Sequence, residues 1–110
     1  MKDLQKCLAE GLGTFYLCFI GIGSIFCVTM NDWGSDAAGL LIIALAHGLA
    51  LSIGVAVTGG ISGGHLNPAV TAGMWISKRI ETLLAVKYIV SQLIGASLGA
   101  LLVVLVFQSV

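Results

Sequence analysis

Charge and proline are what this sequence has least of. Of its 110 residues 9% are Asp, Glu, Lys or Arg, against 58% hydrophobic, so a soluble domain would lack the polar groups to clothe its surface. The formal net charge is zero, and no basic patch exists to meet a phosphate backbone, which excludes a nucleic-acid partner. The three cysteines, Cys7, Cys18 and Cys27, lie in or beside one apolar run without CxxC spacing. Neither a disulfide framework nor a zinc site is indicated, and small-residue packing is their simplest use. Proline occurs once, at Pro68, so the chain is punctuated by that residue at a single place.

What is present is apolar length. Crossing a bilayer takes roughly 20 apolar residues at about 1.5 Å each, and three runs are long enough: about Cys7 to Met30, Ala37 to Gly59, and Leu83 to Phe107. The first is too long for the core of a signal peptide and no A-x-A site closes it, so it reads as a retained span. An all-α, multi-pass integral membrane protein follows, with the lipid bilayer as its first partner and the cell membrane as its expected home.

All five basic residues fall on one side of these spans: Lys2 and Lys6 before the first, Lys78, Arg79 and Lys87 around the start of the third. The connection "NDWGSD" at 31–36 has two aspartates and no cation. That bias places the N-terminus in the cytoplasm and Trp33 at the outer interface.

The stretch "ISGGHLNPAVTAGMWISKR", Ile61 to Arg79, therefore lies on the cytoplasmic side, yet it is mostly apolar. Irregular backbone enters a membrane only where protein or a water-filled cavity surrounds it. Pro68 suits the first position of a helix, where its missing N–H costs nothing. Asn67 then caps that helix with its side-chain oxygen and keeps a free amide NH2 donor. A helix from Pro68 to about Ser77 would be roughly 15 Å long, half the hydrocarbon core. Its positive end would sit near the midplane, with Lys78 and Arg79 at the other. Such a site repels cations while offering hydrogen bonds to a neutral solute.

These residues carry a resemblance. "SGGHLNPAV" is similar to the signature loop of the aquaporin and glycerol-facilitator family, the major intrinsic proteins. "AEGLGTF" at Ala9 to Phe15 resembles the family's first span with its buried glutamate, and "SQLIGASLGA" at Ser91 to Ala100 resembles its third. The resemblance implies two inverted repeats, each of three spans and one re-entrant half-helix, of which residues 1–110 would be the first. It implies a pore signature at Asn67, Pro68 and Ala69, with Asn67 as midplane donor, and a ladder of carbonyl acceptors at Gly63, Gly64, His65 and Leu66. It also implies no cofactor, and a homotetramer with one pore per subunit.

The remaining polar residues have plainer readings beside these. Glu10 is either a wetted interfacial acid or, as the family pattern implies, a brace for the loop containing Gly64 and His65; a buried acid needs such donors. His65 belongs to that brace, since one ligand makes no metal site. Gln92 is an interhelical hydrogen-bonding residue or a second brace. His47 stands 14 residues before the "ISGGH" loop, the offset of the family's second-span filter residue. Histidine there resembles the vacuolar-membrane branch of plant aquaporins, whose permeability extends to ammonia or urea; a core histidine satisfied by a neighbouring helix is the plainer alternative. Gly95 and Gly99, Ala9 and Gly13, and Gly48 and Gly54 supply small positions for close helix packing.

The expectation is thus a channel for water and small neutral solutes such as ammonia, urea or glycerol, which conducts and does not catalyse. A membrane-junction or assembly protein with a closed pore is the alternative. A coupled transporter also uses half-helices but ranks last, having only Glu10 and His47 as intramembrane ionisable groups. Because all cations fall on one side, two copies in opposite orientations are disfavoured. The missing repeat is expected in cis or as a separate, oppositely inserted chain.

Overall fold

The computed structural model describes residues 2–33 and 36–108. They form four helices: α1 (Asp3–Met30), α2 (Ala37–Ser62), α3 (Pro68–Ile76) and α4 (Thr82–Phe107). The three long ones are apolar enough to cross a membrane. The half-length helix falls where Pro68 and Asn67 predict it, ending one residue earlier than expected. The first two spans extend a few residues beyond the purely apolar run and the third by a single residue, Thr82; α1 extends most, starting at Asp3 and not at Cys7. Its 28 residues make about 42 Å of helix, more than the roughly 30 Å hydrocarbon core, so its ends lie in the headgroup region. Of the loop 31–36, Gly34 and Ser35 lie outside the described residues.

Helix α1 is the middle of the structure. It packs on α4 on one side and on α2 on the other, and α3 packs on α4. The α1–α4 pair is parallel and keeps one register. Asp3 pairs with Lys87 at 3.5 Å, Ser91 Oγ donates to the Cys7 carbonyl at 2.5 Å, Gly95 lies on the backbone of Gly11, and Gly99 on that of Phe15. Each pair is 84 residues apart, and successive pairs step by four, which is the i±4n ridge of one helix meeting that of the other. Small residues let the two backbones touch. A Cβ on Gly95 would overlap the Gly11 carbonyl, and one on Gly99 would stand 2.6 Å from the Phe15 oxygen. At the far end Phe26 stacks on Phe107 with centroids 5.5 Å apart. Gly48 is different: a Cβ there would meet nothing within 4 Å, so it makes none of the close approach expected of it.

The core is polar for its size. Buried apolar residues include Ala9, Ala50, Leu66, Tyr88 and Val103, but Glu10, Thr14, Thr58, Ser62, His65, Thr71 and Gln92 are buried beside them. Meanwhile Leu12, Leu40, Leu49, Val57, Leu83 and Leu101 are all more than half exposed. Apolar outside and polar inside is the distribution that lipid solvent imposes.

The packing of α1 on α4 yields a first test. Gly95→Ala forces the helices apart and should cost about 1–3 kcal/mol in denaturant unfolding of the detergent-solubilised protein. Ile94→Ala, on a face 56% exposed, should cost far less. Equal effects would mean that the contact at Gly95 does not hold the pair together.

Candidate functional site

Between α2 and α3 the chain reverses in five residues. Gly63 closes α2 in the left-handed conformation (φ 95°), its N–H bonding to the Gly59 carbonyl. Gly64 (φ 67°) and Leu66 (φ 54°) are left-handed too. Glycine accepts this at little cost, but leucine does not, at about 1–2 kcal/mol for the residue. Something must hold Leu66 there.

The holder is Glu10, on the third turn of α1 and fully buried. Its Oε1 accepts from the Ser62 hydroxyl at 2.7 Å and the His65 N–H at 2.9 Å; its Oε2 accepts from the Leu66 N–H at 2.7 Å and Gln92 Nε2 at 2.9 Å. Four donors from α2, the loop and α4 surround a carboxylate with about four acceptor sites. Gly64, expected in the same brace, bonds to the Ser62 hydroxyl instead, at 3.3 Å. The Leu66 side chain is the second anchor. It is 1% exposed and lies in a notch between helices, where a Cβ on Gly13 would overlap it and one on Gly54 would stand 2.8 Å from its Cδ1. Expected only to lend a carbonyl, Leu66 is also the wedge that seats the loop on α1 and α2. Nothing local in the sequence signals this, because both notches are more than ten residues away.

A second layer joins α3. Gln92 Nε2 also donates to Thr71 Oγ1 at 2.9 Å, and Thr71 in turn meets His65 Nδ1 at 2.9 Å. Gln92 thereby ties α1 to the second turn of the half-helix. Its two amide hydrogens are spent, and its Oε1 is a buried oxygen without a partner among the described residues. The Tyr88 hydroxyl donates to the Ser62 carbonyl at 2.7 Å, and its ring stands edge-on to His65. At the other end of α3 the N–H groups of Lys78 and Arg79 bond back to Trp75 and Met74, the paired closure of a Schellman turn. Trp75 Nε1 donates to Thr82 Oγ1 at 2.9 Å, which fixes the half-helix to the start of α4.

What this framework presents is a short polar strip. Asn67 has extended backbone, and its Oδ1 accepts from the Ala69 N–H at 2.8 Å. Asn67 is exposed, and its Nδ2 makes no hydrogen bond among the described residues. The carbonyls of Gly63, Gly64, His65 and Leu66 likewise have no partner among them, although Ser62 and Asn67 on either side have theirs. His47 is apart from this cluster, further along α2. Its Nδ1 is 2.8 Å from the Ile43 carbonyl, and since a carbonyl only accepts, Nδ1 carries the proton. The neutral ring then keeps one free group, the acceptor Nε2. Beside it lies an apolar cavity of about 410 Å³ lined by Leu17, Cys18, Ile22, His47, Gly48 and Leu51.

Three apolar spanning helices with a half-helix folded back between them define a polytopic integral membrane protein with a re-entrant loop. The family model described as "Major intrinsic protein" matches residues 1–110, and the chain belongs to that family. It is 46% identical over 102 residues to "Aquaporin TIP2-1" of Zea mays, covering 91% of this chain and 41% of that protein. It is 40% identical over 108 residues to "Aquaporin TIP2-3" of Arabidopsis thaliana, covering 96% and 43%. It is also 45% identical over 93 residues to "Glycerol uptake facilitator protein-like 6" of Lactiplantibacillus plantarum, covering 84% and 39%. The chain thus spans about two-fifths of the length of these relatives.

The Glu10 bracket can be tested at one atom. In Glu10→Gln one oxygen becomes an NH2. Ser62, on one oxygen, can rotate to accept it and Gln92, on the other, can turn its unpartnered Oε1 to do so, but the backbone N–H that shares that oxygen, of His65 or of Leu66, loses its acceptor, a loss of about 1–3 kcal/mol. Hydrogen exchange should rise at one of these two N–H groups and much less at the other. Unchanged protection at both would remove the carboxylate from its place as holder of the loop.

Proposed function

We propose that the intact protein is a membrane channel passing water and small neutral solutes, and that this chain is the first of its two inverted repeats. One observation carries the reading. A run of four carbonyls, unpartnered among the described residues, leads to an asparagine whose amide has no partner among them either, at the positive end of a half-helix. A carbonyl ladder replaces the hydration of a solute, and the donor with the helix dipole beyond it turns cations away. The solute finds acceptors and then a donor, but no ion. Glu10, the one buried charge of the site, is spent on its own four donors and lies behind the loop.

On this reading Asn67, Pro68 and Ala69 form the pore signature, Gly63 to Leu66 line the inner approach, and His47 belongs to a filter further out. Glu10 and Gln92 are positioning residues. The second repeat, in cis or as a separate chain inserted the other way, supplies the opposite half, and the homotetramer is the expected assembly. The bias of the five cations supports a cytoplasmic N-terminus, with the cell membrane as the expected home. The relatives named as aquaporins and as a glycerol uptake facilitator support the solute class.

The intact protein in proteoliposomes should raise osmotic water permeability without conducting ions. Vesicles no more permeable than protein-free ones would refute the channel. Asn67→Asp retains a capping oxygen but puts an anion where the amide stands, so it should insert normally and leak cations. Cation exclusion equal to wild type would sink the electrostatic account. His47→Phe removes the acceptor and should lower ammonia and urea flux more than water flux; equal proportional losses would reduce His47 to packing.

A further inference from the structure

The imidazole of His47 rests on Gly21 of α1. A Cβ added to Gly21 would stand 2.5 Å from His47 Nε2, 2.7 Å from Cδ2 and 3.1 Å from Cε1, the first two too close for real atoms. Gly21 is buried, whereas His47 is exposed on its other side and borders the cavity of about 410 Å³. The ring is held from two directions: by the hydrogen bond from Nδ1 to the Ile43 carbonyl, and by the notch that the missing side chain leaves in α1. We infer that Gly21 is a specificity-determining positioning residue, a notch that draws the His47 ring back against α1 and so sets both the width of the passage beside it and the direction of its acceptor nitrogen.

The physical case is short. Imidazole is planar and turns about two side-chain bonds, so without the notch it would swing off α1. The swing carries the ring into the adjoining cavity and pulls Nδ1 away from Ile43, and a free ring can take either tautomer. A narrower passage excludes wide solutes before it excludes water. The notch therefore favours neutral solutes larger than water that carry N–H or O–H donors for a bare Nε2, such as urea or glycerol. Gly13 shows the same device with another occupant, the Leu66 side chain.

This inference rests on the channel reading, and the experiment separates the two. In the intact protein Gly21→Ala should reduce urea and glycerol flux on the order of tenfold more than water flux, as expected for two groups in direct contact. In a His47→Ala background, with no ring to displace, adding Gly21→Ala should leave the ratio of solute to water flux unchanged. That double variant has no clash and remains readable if Gly21→Ala alone inserts poorly. Nitrogen-15 NMR of labelled histidine gives a readout independent of transport. Wild type should show the Nδ1–H tautomer at His47, and Gly21→Ala should lose it. A parallel fall of all fluxes, additive effects in the double variant, or an unaltered tautomer in Gly21→Ala would each overturn the notch. Absence of any flux in wild type would refute the channel instead, with the NMR result still judging the notch.

Discussion

A single carboxylate bears the re-entrant loop. Moving an ionised acid into a low-dielectric interior costs several kcal/mol, and the loop's N–H groups would cost several more if left bare in lipid. Glu10 and the loop cancel these two costs against each other. The His65 and Leu66 N–H groups need strong acceptors, and the carboxylate needs donors that do not titrate. Because those donors lie more than 50 residues from Glu10, satisfying either partner fixes the loop against α1. Gln92 extends the fixed point to the half-helix through Thr71, so the height of Asn67 is inherited from a residue on another helix.

Glycine on α1 is the steric counterpart. Gly11 and Gly13 lie about 200° apart around the helix and admit different neighbours, Gly11 the Ser91 hydroxyl and carbonyl of α4 and Gly13 the Leu66 wedge. Further along, Gly21 admits the His47 ring. One helix is thus cut away on several faces, each for a different neighbour. With no hydrophobic drive between helices in lipid, such close fits supply the packing energy. The left-handed strain at Leu66 is borne because the wedge and the Oε2 bond hold the same residue.

Much of this was legible in the sequence, for reasons of local physics. Span length follows from hydropathy, and the half-helix from one proline beside one capping residue; the structure adds only a few polar residues to the span ends, since helix continues into the interface where apolar composition stops. Legibility ended where partners are distant. Hydropathy marks a buried position but not its neighbour, so Gly13 read as half of a small-residue pair within α1 and not as the seat of Leu66. Gly21 was unremarked because one glycine among 15 has no pattern of its own. Gly48 suggests close packing by its size alone, yet it faces open space. Glu10 could be suspected because a carboxylate inside an apolar run demands donors, but which four it takes required the fold.

The consequence for function lies in where charge is allowed. Within the site the charged group, Glu10, faces inward and is consumed by its four donors, whereas the carbonyls of Gly63 to Leu66 and the Asn67 amide are neutral and have no partner among the described residues. Had the loop been held by a lysine or an aspartate at the exposed strip, the same backbone path would carry a fixed charge into the passage and bind one class of ion. Holding it from behind leaves only dipoles in front, and dipoles of opposite sense along a short path suit a molecule that both donates and accepts. That division of labour, a saturated charge for support and bare dipoles for contact, is what the proposed channel for neutral solutes requires of this half-site.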